Sequence, residues 1–236
     1  MKSMVIASLL ALTGVAAADD GADQLVRARI SGGPDAPAPG MGASIQGGWG
    51  GAHAQAIGAI TAEALVAGRI TVRAGVQYDA GKSRPSASAS YVITDPYASA
   101  VGVLVGVAYK PEGLTEPEGE MEGTVALSRL VGSSLASASI TYGQDPDFNE
   151  HDGELALSMI DPIAKHAAIG GVTRARSGLG STTDLGARWD GLAGAVGRVQ
   201  IDDYVITAVA GTEVIGVTTG GTKFGVLGTI ALGAWF

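Results

Sequence analysis

Two kinds of chemistry are open to the reactive side chains of this sequence: group transfer at a histidine, and the handling of charged solutes by arginines and carboxylates. The chain holds three histidines, His53, His151 and His166, and no cysteine. A hydrolase of the Ser–His or acid–His type needs its base beside the nucleophile and held by a third group. His53 and His151 fall near polar, loop-like stretches and His166 falls beside a short turn, so none stands in a catalytic context. Absent Cys excludes disulfide scaffolds, Cys-ligated zinc and cysteine nucleophiles. The segment Gly178-Leu179-Gly180-Ser181-Thr182 lacks the lysine and the strand-to-helix setting of a phosphate-binding loop. Two acidic runs offer oxygen ligands: Glu112, Glu116, Glu118 and Glu120, then Asp145, Asp147, Glu150, Asp152 and Glu154. The spacing Asp145, Asp147, Asn149 lacks the Gly and the closing Glu of a calcium loop, and both runs read as solvated acidic loops. No catalytic residue, metal or cofactor is expected.

What the arginines and carboxylates can do depends on which face of which element carries them. From residue 69 onward, apolar residues alternate with polar or small ones, the period of a half-buried strand. Ile70, Val72, Ala74, Val76 and Tyr78 alternate with Arg69, Thr71, Arg73 and Gln77. Val101, Val103, Val105, Val107 and Tyr109 oppose Gly102, Gly106 and Lys110, and Met121, Val125 and Leu127 oppose Glu120, Glu122 and Thr124. Ala136, Ala138, Ile140 and Tyr142 face away from Ser137 and Ser139, and Leu155, Leu157 and Met159 from Glu154. Trp189, Ala193, Ala195 and Val199 oppose Arg188, Asp190 and Arg198, while Tyr204, Ile206 and Ala208 oppose Thr207 and Glu213. The final segment sets Phe224, Val226, Ile230, Leu232 and Phe236 against Lys223, Gly225 and Thr229. Arg174 and Arg176 share one face with Ala175 on the other, since two arginines directed at lipid would be costly.

Composition agrees with strands that are small and sparsely charged. Of 236 residues 37 are Gly, and only 16% are charged. No stretch after residue 18 is long and apolar enough for a helical membrane span. At the start, Lys2, the apolar segment Met4 to Val15 and the small residues Ala16 and Ala18 have the form of a secretory signal peptide cleaved after Ala18. Cleavage removes Lys2 and leaves the formal charge near −9, one below the −8 of the whole chain. Such a balance argues against nucleic acid, whose phosphates require a basic face.

Connections follow a second regularity. Counting back from the C-terminus, short turns fall at Asp202-Asp203, Asp161 to Lys165, Val131 to Ser134, Asp95 to Ala98 and Leu65 to Gly68. They alternate with a set longer on average: Val217 to Gly221, Gly178 to Asp184, Asp145 to Asp152, Pro111 to Gly119 and Gly81 to Arg84. This parity belongs to a transmembrane barrel with tight turns on one side and loops on the other. Eleven strands lie between about residues 55 and 236, and an even number is required with both termini on one side. Met41 to Gly50 supplies the twelfth, although its glycines make a poor strand by propensity; ten and fourteen strands are the alternatives. Gln24 to Ser31 also alternates, as a first strand or a lead-in.

The terminal strand ending on Phe236, together with the leader and the serial ten-residue strands, resembles the bacterial outer-membrane β-barrels, specifically the small porin-like ones of Gram-negative bacteria. The chain departs from the usual pattern at two positions, having Ala231 where that pattern has Gly and Ala234 where it has a larger hydrophobe. This resemblance implies a closed antiparallel up-and-down transmembrane barrel over residues 41–236, preceded by a signal peptide (1–18) and a lead-in (19–40). It implies outer-membrane lipid and the outer-membrane assembly machinery as partners, with small solutes or ions as cargo. Tyr78, Tyr109 and Tyr142 would form the outer aromatic girdle and Trp235 and Phe236 the opposite one. The pore lining read from the alternation is Arg69, Arg73, Lys110, Glu122, Glu154, Arg174, Arg176, Arg188, Asp190 and Arg198. Two arrangements fit it: basic strips along a narrow anion-favouring pore, or arginines paired with carboxylates that knit the lumen shut. Small lumen residues such as Gly102, Gly106, Ser137, Ser139 and Gly194 favour an open bore. Expectation therefore rests on a passive narrow pore, with a non-conducting structural or surface-interaction barrel as the alternative. An outer-membrane hydrolase and a soluble secreted β-sandwich rank below both.

Overall fold

The computed structural model of the chain describes residues 41–50, 55–66, 69–79, 82–94, 99–110, 119–146, 150–164, 167–181, 189–201, 204–217 and 221–235. The expected signal peptide, the lead-in 19–40 with Gln24 to Ser31, and His53, His166, Arg188 and Phe236 lie outside them. Twelve strands run in order: β1 (Met41–Gly50), β2 (Gln55–Val66), β3 (Ile70–Asp79), β4 (Lys82–Thr94), β5 (Gly102–Lys110), β6 (Glu120–Val131), β7 (Ser134–Gln144), β8 (Glu150–Ala164), β9 (Ala167–Ser181), β10 (Trp189–Ile201), β11 (Tyr204–Val217) and β12 (Gly221–Trp235). Each pairs antiparallel with its chain neighbours, and β1 pairs with β12 to close the barrel. Closure satisfies the backbone of every strand and leaves no edge. It also sets aside the β-sandwich, which would leave two open sheets.

Alternation fixes the two faces. Ile60, Val107, Val125, Ile140, Leu157, Ile169, Ile206 and Ile230 stand exposed on the outside, while Thr71, Glu122, Thr141, Glu154, Arg174, Asp190, Thr207 and Thr229 are buried within. A polar interior inside an apolar exterior reverses the order of a water-soluble barrel and is that of a transmembrane one. Trp49, Tyr109, Tyr142 and Trp189 are exposed on the outer face near the strand ends that carry the longer loops. Tyr91 and Tyr204 are exposed near the opposite ends. Aromatic side chains at both levels match the two membrane interfaces.

Glycine-rich β1 owes its place to the seam. A Cβ at Gly48 would fall 2.5 Å from the Gly228 carbonyl oxygen of β12, so close approach of backbones excludes a side chain there. At the tight turn from β6 to β7, Gly132 takes φ 64°. A left-handed residue at the first turn position matches the right-handed twist of the flanking strands.

Connections depart from the sequence expectation in several places, with Asp145 to Asp152 shortened to 145–149 and Gly178 to Asp184 displaced to 182–188. The turn expected at Asp161 to Lys165 is strand through Ala164; Pro162 is accommodated where the β8–β9 register shifts, and such irregularities are where sheets tolerate proline. The loop expected over Gly81 to Arg84 shrinks to 80–81, and the turn expected over Asp95 to Ala98 lengthens to 95–101. Long loops at one end are thus confined to 111–119, 145–149 and 182–188. That end is called the loop end below, and the other, with 132–133, 165–166 and 202–203 but also the longer 95–101, the turn end.

Candidate functional site: the barrel lumen

The inward faces of β6 to β11 at the loop end carry a cluster of buried ions. Cross-strand register brings them together: Glu122 lies opposite Gly143, which lies opposite Asp152, and Glu154 opposes Arg176, which opposes Asp190. Arg176, 2% exposed, donates from Nε to Asp152 Oδ2 at 2.7 Å and from Nη2 to Glu120 Oε2 at 2.8 Å. Its Nη2 also donates to Asp152. Arg174 donates from Nη2 to Asp190 Oδ1 at 2.6 Å and stands 3.8 Å from Glu213 Oε1. Glu213, Asp152 and Thr141 are among the most completely buried side chains.

The bond from Glu120 on β6 to Arg176 on β9 passes over β7, and Gly143 makes room for it. A Cβ at Gly143 would collide with the Glu120 carboxylate and come within 2.8 Å of Asp152 Oδ1. One row toward the turn end, the hydroxyls of Thr124 and Thr141 are 2.9 Å apart. These contacts form ionic ribs that tie six successive strands, β6 to β11, from inside.

Two other linings complete the lumen. Along β4 to β8 Val92 and Leu104 face each other on the inner side nearer the turn end, but many inward positions are small and half-buried, among them Ser86, Ser88, Gly106, Thr124, Ala126, Ser139 and Ala156. Side chains this short cannot fill a barrel interior. Toward the turn end of β7 to β12 the inward positions are apolar and buried, among them Leu135, Ile160, Val172, Val196, Val209 and Ala231. Arg198 and Thr207 stand within that apolar stretch.

The expected pore residues separate by this geometry. Glu122, Glu154, Arg174, Arg176 and Asp190 gather in the ribs, and Arg198 lies apart near the turn end. Arg73 is half-buried on the inner face of β3, opposite Glu63 and Ser88 in register. Arg69 is exposed at the turn-end mouth, outside the strand, with Nη1 3.5 Å from the Ile93 carbonyl oxygen. Lys110 lies opposite Glu120 in the β5–β6 register. Arg188 lies outside the described residues. Sequence reasoning placed Asp152 in a solvated loop and passed over Glu213 as a site residue, yet both belong to the ribs. The alternation of β11 already set Glu213 inward; nothing local marked Asp152, which becomes a lumen residue because β8 begins at Glu150. His151 likewise sits in β8, where its Nδ1 lies 2.9 Å from the Tyr142 hydroxyl among the girdle aromatics.

Fold and lumen together define a small twelve-stranded transmembrane barrel with a charged and polar interior. No family model and no curated protein sequence matches the chain. Among solved structures it is similar to the NanC porin (TM-score 0.60, 11% identity, covering 81% of this chain and 98% of that one). The KdgM porin matches at TM-score 0.57 and 9% identity, over 83% of this chain and 99% of that one. The COG4313 outer membrane channel from Pseudomonas putida F1 gives TM-score 0.59 and 9% identity over 85% and 96%. At such identities the likeness is one of fold.

Proposed function

We propose that the protein is a narrow passive pore of the bacterial outer membrane for small solutes or ions, without enzymatic activity. The observation that carries this reading is the lane of short Ser, Thr, Gly and Ala side chains along the inner face of β4 to β8, enclosed by a barrel with an apolar exterior. Such a lane leaves space for hydrated solutes, and the charged residues beside it set their preference. The porin and channel fold of its structural neighbours supports the same reading. In this proposal residues 1–18 direct export and are removed, lipid and the outer-membrane assembly machinery are the partners, and the turn end is periplasmic. Arg73 and Lys110 flank the lane, Glu122, Glu154 and Asp190 belong to the ribs at its loop end, and Arg198 stands apart in the turn-end half of the lumen, with Arg69 at the turn-end mouth and Arg188 just before β10 in sequence. Arg174 and Arg176 contribute little attraction for anions, because each is held by carboxylates.

A non-conducting structural or surface-interaction barrel is the second reading, favoured by the Glu120–Arg176 bridge that ties β6 to β9 within the lumen. Conductance of the refolded protein in a planar bilayer separates the two. The pore reading expects discrete current steps, with a reversal potential in a salt gradient that Arg73→Glu moves toward cations. A folded, heat-modifiable barrel that passes no current would leave the structural reading.

A further inference from the structure

Arg198 has none of the partners that hold the rib arginines. It is 9% exposed, and its Nη1 and Nη2 meet no hydrogen-bond partner. Beside it on β11 stands Thr207, 3% exposed, whose Oγ1 is equally unpartnered. Register sets both in a row that runs Ala168, Arg198, Thr207, Ala231 across β9 to β12. The next row toward the loop end is Gly170, Val196, Val209, Thr229. Neither row holds a carboxylate. Asp161 of nearby β8 is engaged instead by the hydroxyls of Ser133 and Ser134, at 3.3 and 2.9 Å.

A guanidinium buried without a counter-charge is costly, and its planar fork of donors fits a carboxylate. The Thr207 hydroxyl supplies a further donor beside that fork. Val196, Val209, Ala168 and Ala231 are apolar and mostly small, a surround that suits hydrocarbon and offers nothing to a second negative charge. We propose that Arg198 and Thr207 bind the carboxylate of a small organic acid, a monoanion whose apolar body rests against Val196, Val209 and Ala231. The site lies in the turn-end half of the lumen, apart from the acidic ribs, and its occupation does not require that the barrel conduct.

The test uses the whole chain folded in detergent, with benzoate as probe and saturation-transfer NMR on its ring protons as readout. Expected are saturable binding, competition by butyrate and none by the neutral isostere benzamide. Arg198→Gln should weaken benzoate by at least about tenfold, the size of a lost charge-assisted hydrogen bond. Arg198→Lys should retain part of the affinity, and Thr207→Val should lose roughly two- to tenfold. No saturable binding to the wild type, benzamide competing as well as butyrate, or equal affinity in Arg198→Gln would each overturn the site. Should Arg198→Gln fail to fold, the near-isosteric Thr207→Val and the benzamide competition decide. A barrel that binds benzoate yet passes no current would sink the pore reading and leave this site standing.

Discussion

Arg176 and Arg198 sit on adjacent strands, face the same lumen and are both buried, yet their surroundings are opposite. Arg176 is gripped by Asp152 and Glu120, whereas both terminal nitrogens of Arg198 lack any acceptor. Buried ion pairs owe their net effect to geometry: removing one partner strands the other, while replacing a whole group with apolar side chains can be neutral. The loop-end half of the lumen therefore behaves as a brace, and the half around Arg198 as a place with an unfilled electrostatic demand. Residue type alone does not distinguish the two.

Substitutions can break that contrast, beginning with its strongest side. Arg176→Leu strands Glu120 and Asp152 together and should cost about 3–5 kcal/mol, read as a lower urea midpoint of the detergent-folded barrel. In a conducting barrel the same variant should shift the reversal potential toward cations. Gly143→Ala tests the passage of Glu120 over β7; forcing a methyl group into the carboxylate's path should cost about 1–3 kcal/mol on the same urea measurement. At the other end the sign should reverse. Arg198→Leu removes an unpartnered buried charge, so stability should hold or rise by up to about 1 kcal/mol while benzoate binding disappears. A marked loss of stability in that variant would erase the distinction between the two halves. The smallest effect is expected for Thr124→Val, which removes one hydroxyl pair at about 0.5–1.5 kcal/mol and should leave the ribs in place.

Much of the architecture was readable because a transmembrane barrel writes its faces into the chain with a period of two. Every strand from β3 onward shows Val, Ile, Leu or aromatic residues on the face that the structure leaves exposed. Met41–Gly50 was readable as a strand only by counting, since Gly48 and Gly50 answer to the close approach of β12 and not to local propensity. Asp161 to Lys165 read as a short turn, but a register shift absorbs Pro162 within β8 and β9. The acidic run from Asp145 to Glu154 read as a solvated loop, although alternation also set Glu154 inward; extension of β8 to Glu150 divided the run and turned Asp152 into a rib residue beside Glu154.

By itself the sequence determined the fold class, the inward or outward direction of the alternating residues in eight of the strands, and the gathering of charge on the inner face, because each of these follows from neighbours two positions apart. Only the tertiary structure decided which charges meet. Alternation assigns a side chain to a face but says nothing of its depth along the axis or of what stands across three strands. Those depend on the register of every ladder between β6 and β11 and on the closure of β1 against β12. For that reason Glu120 finds Arg176 from 56 residues away, while Arg198, alike in type and face, comes to rest among Ala168, Thr207 and Ala231 with no carboxylate in its row.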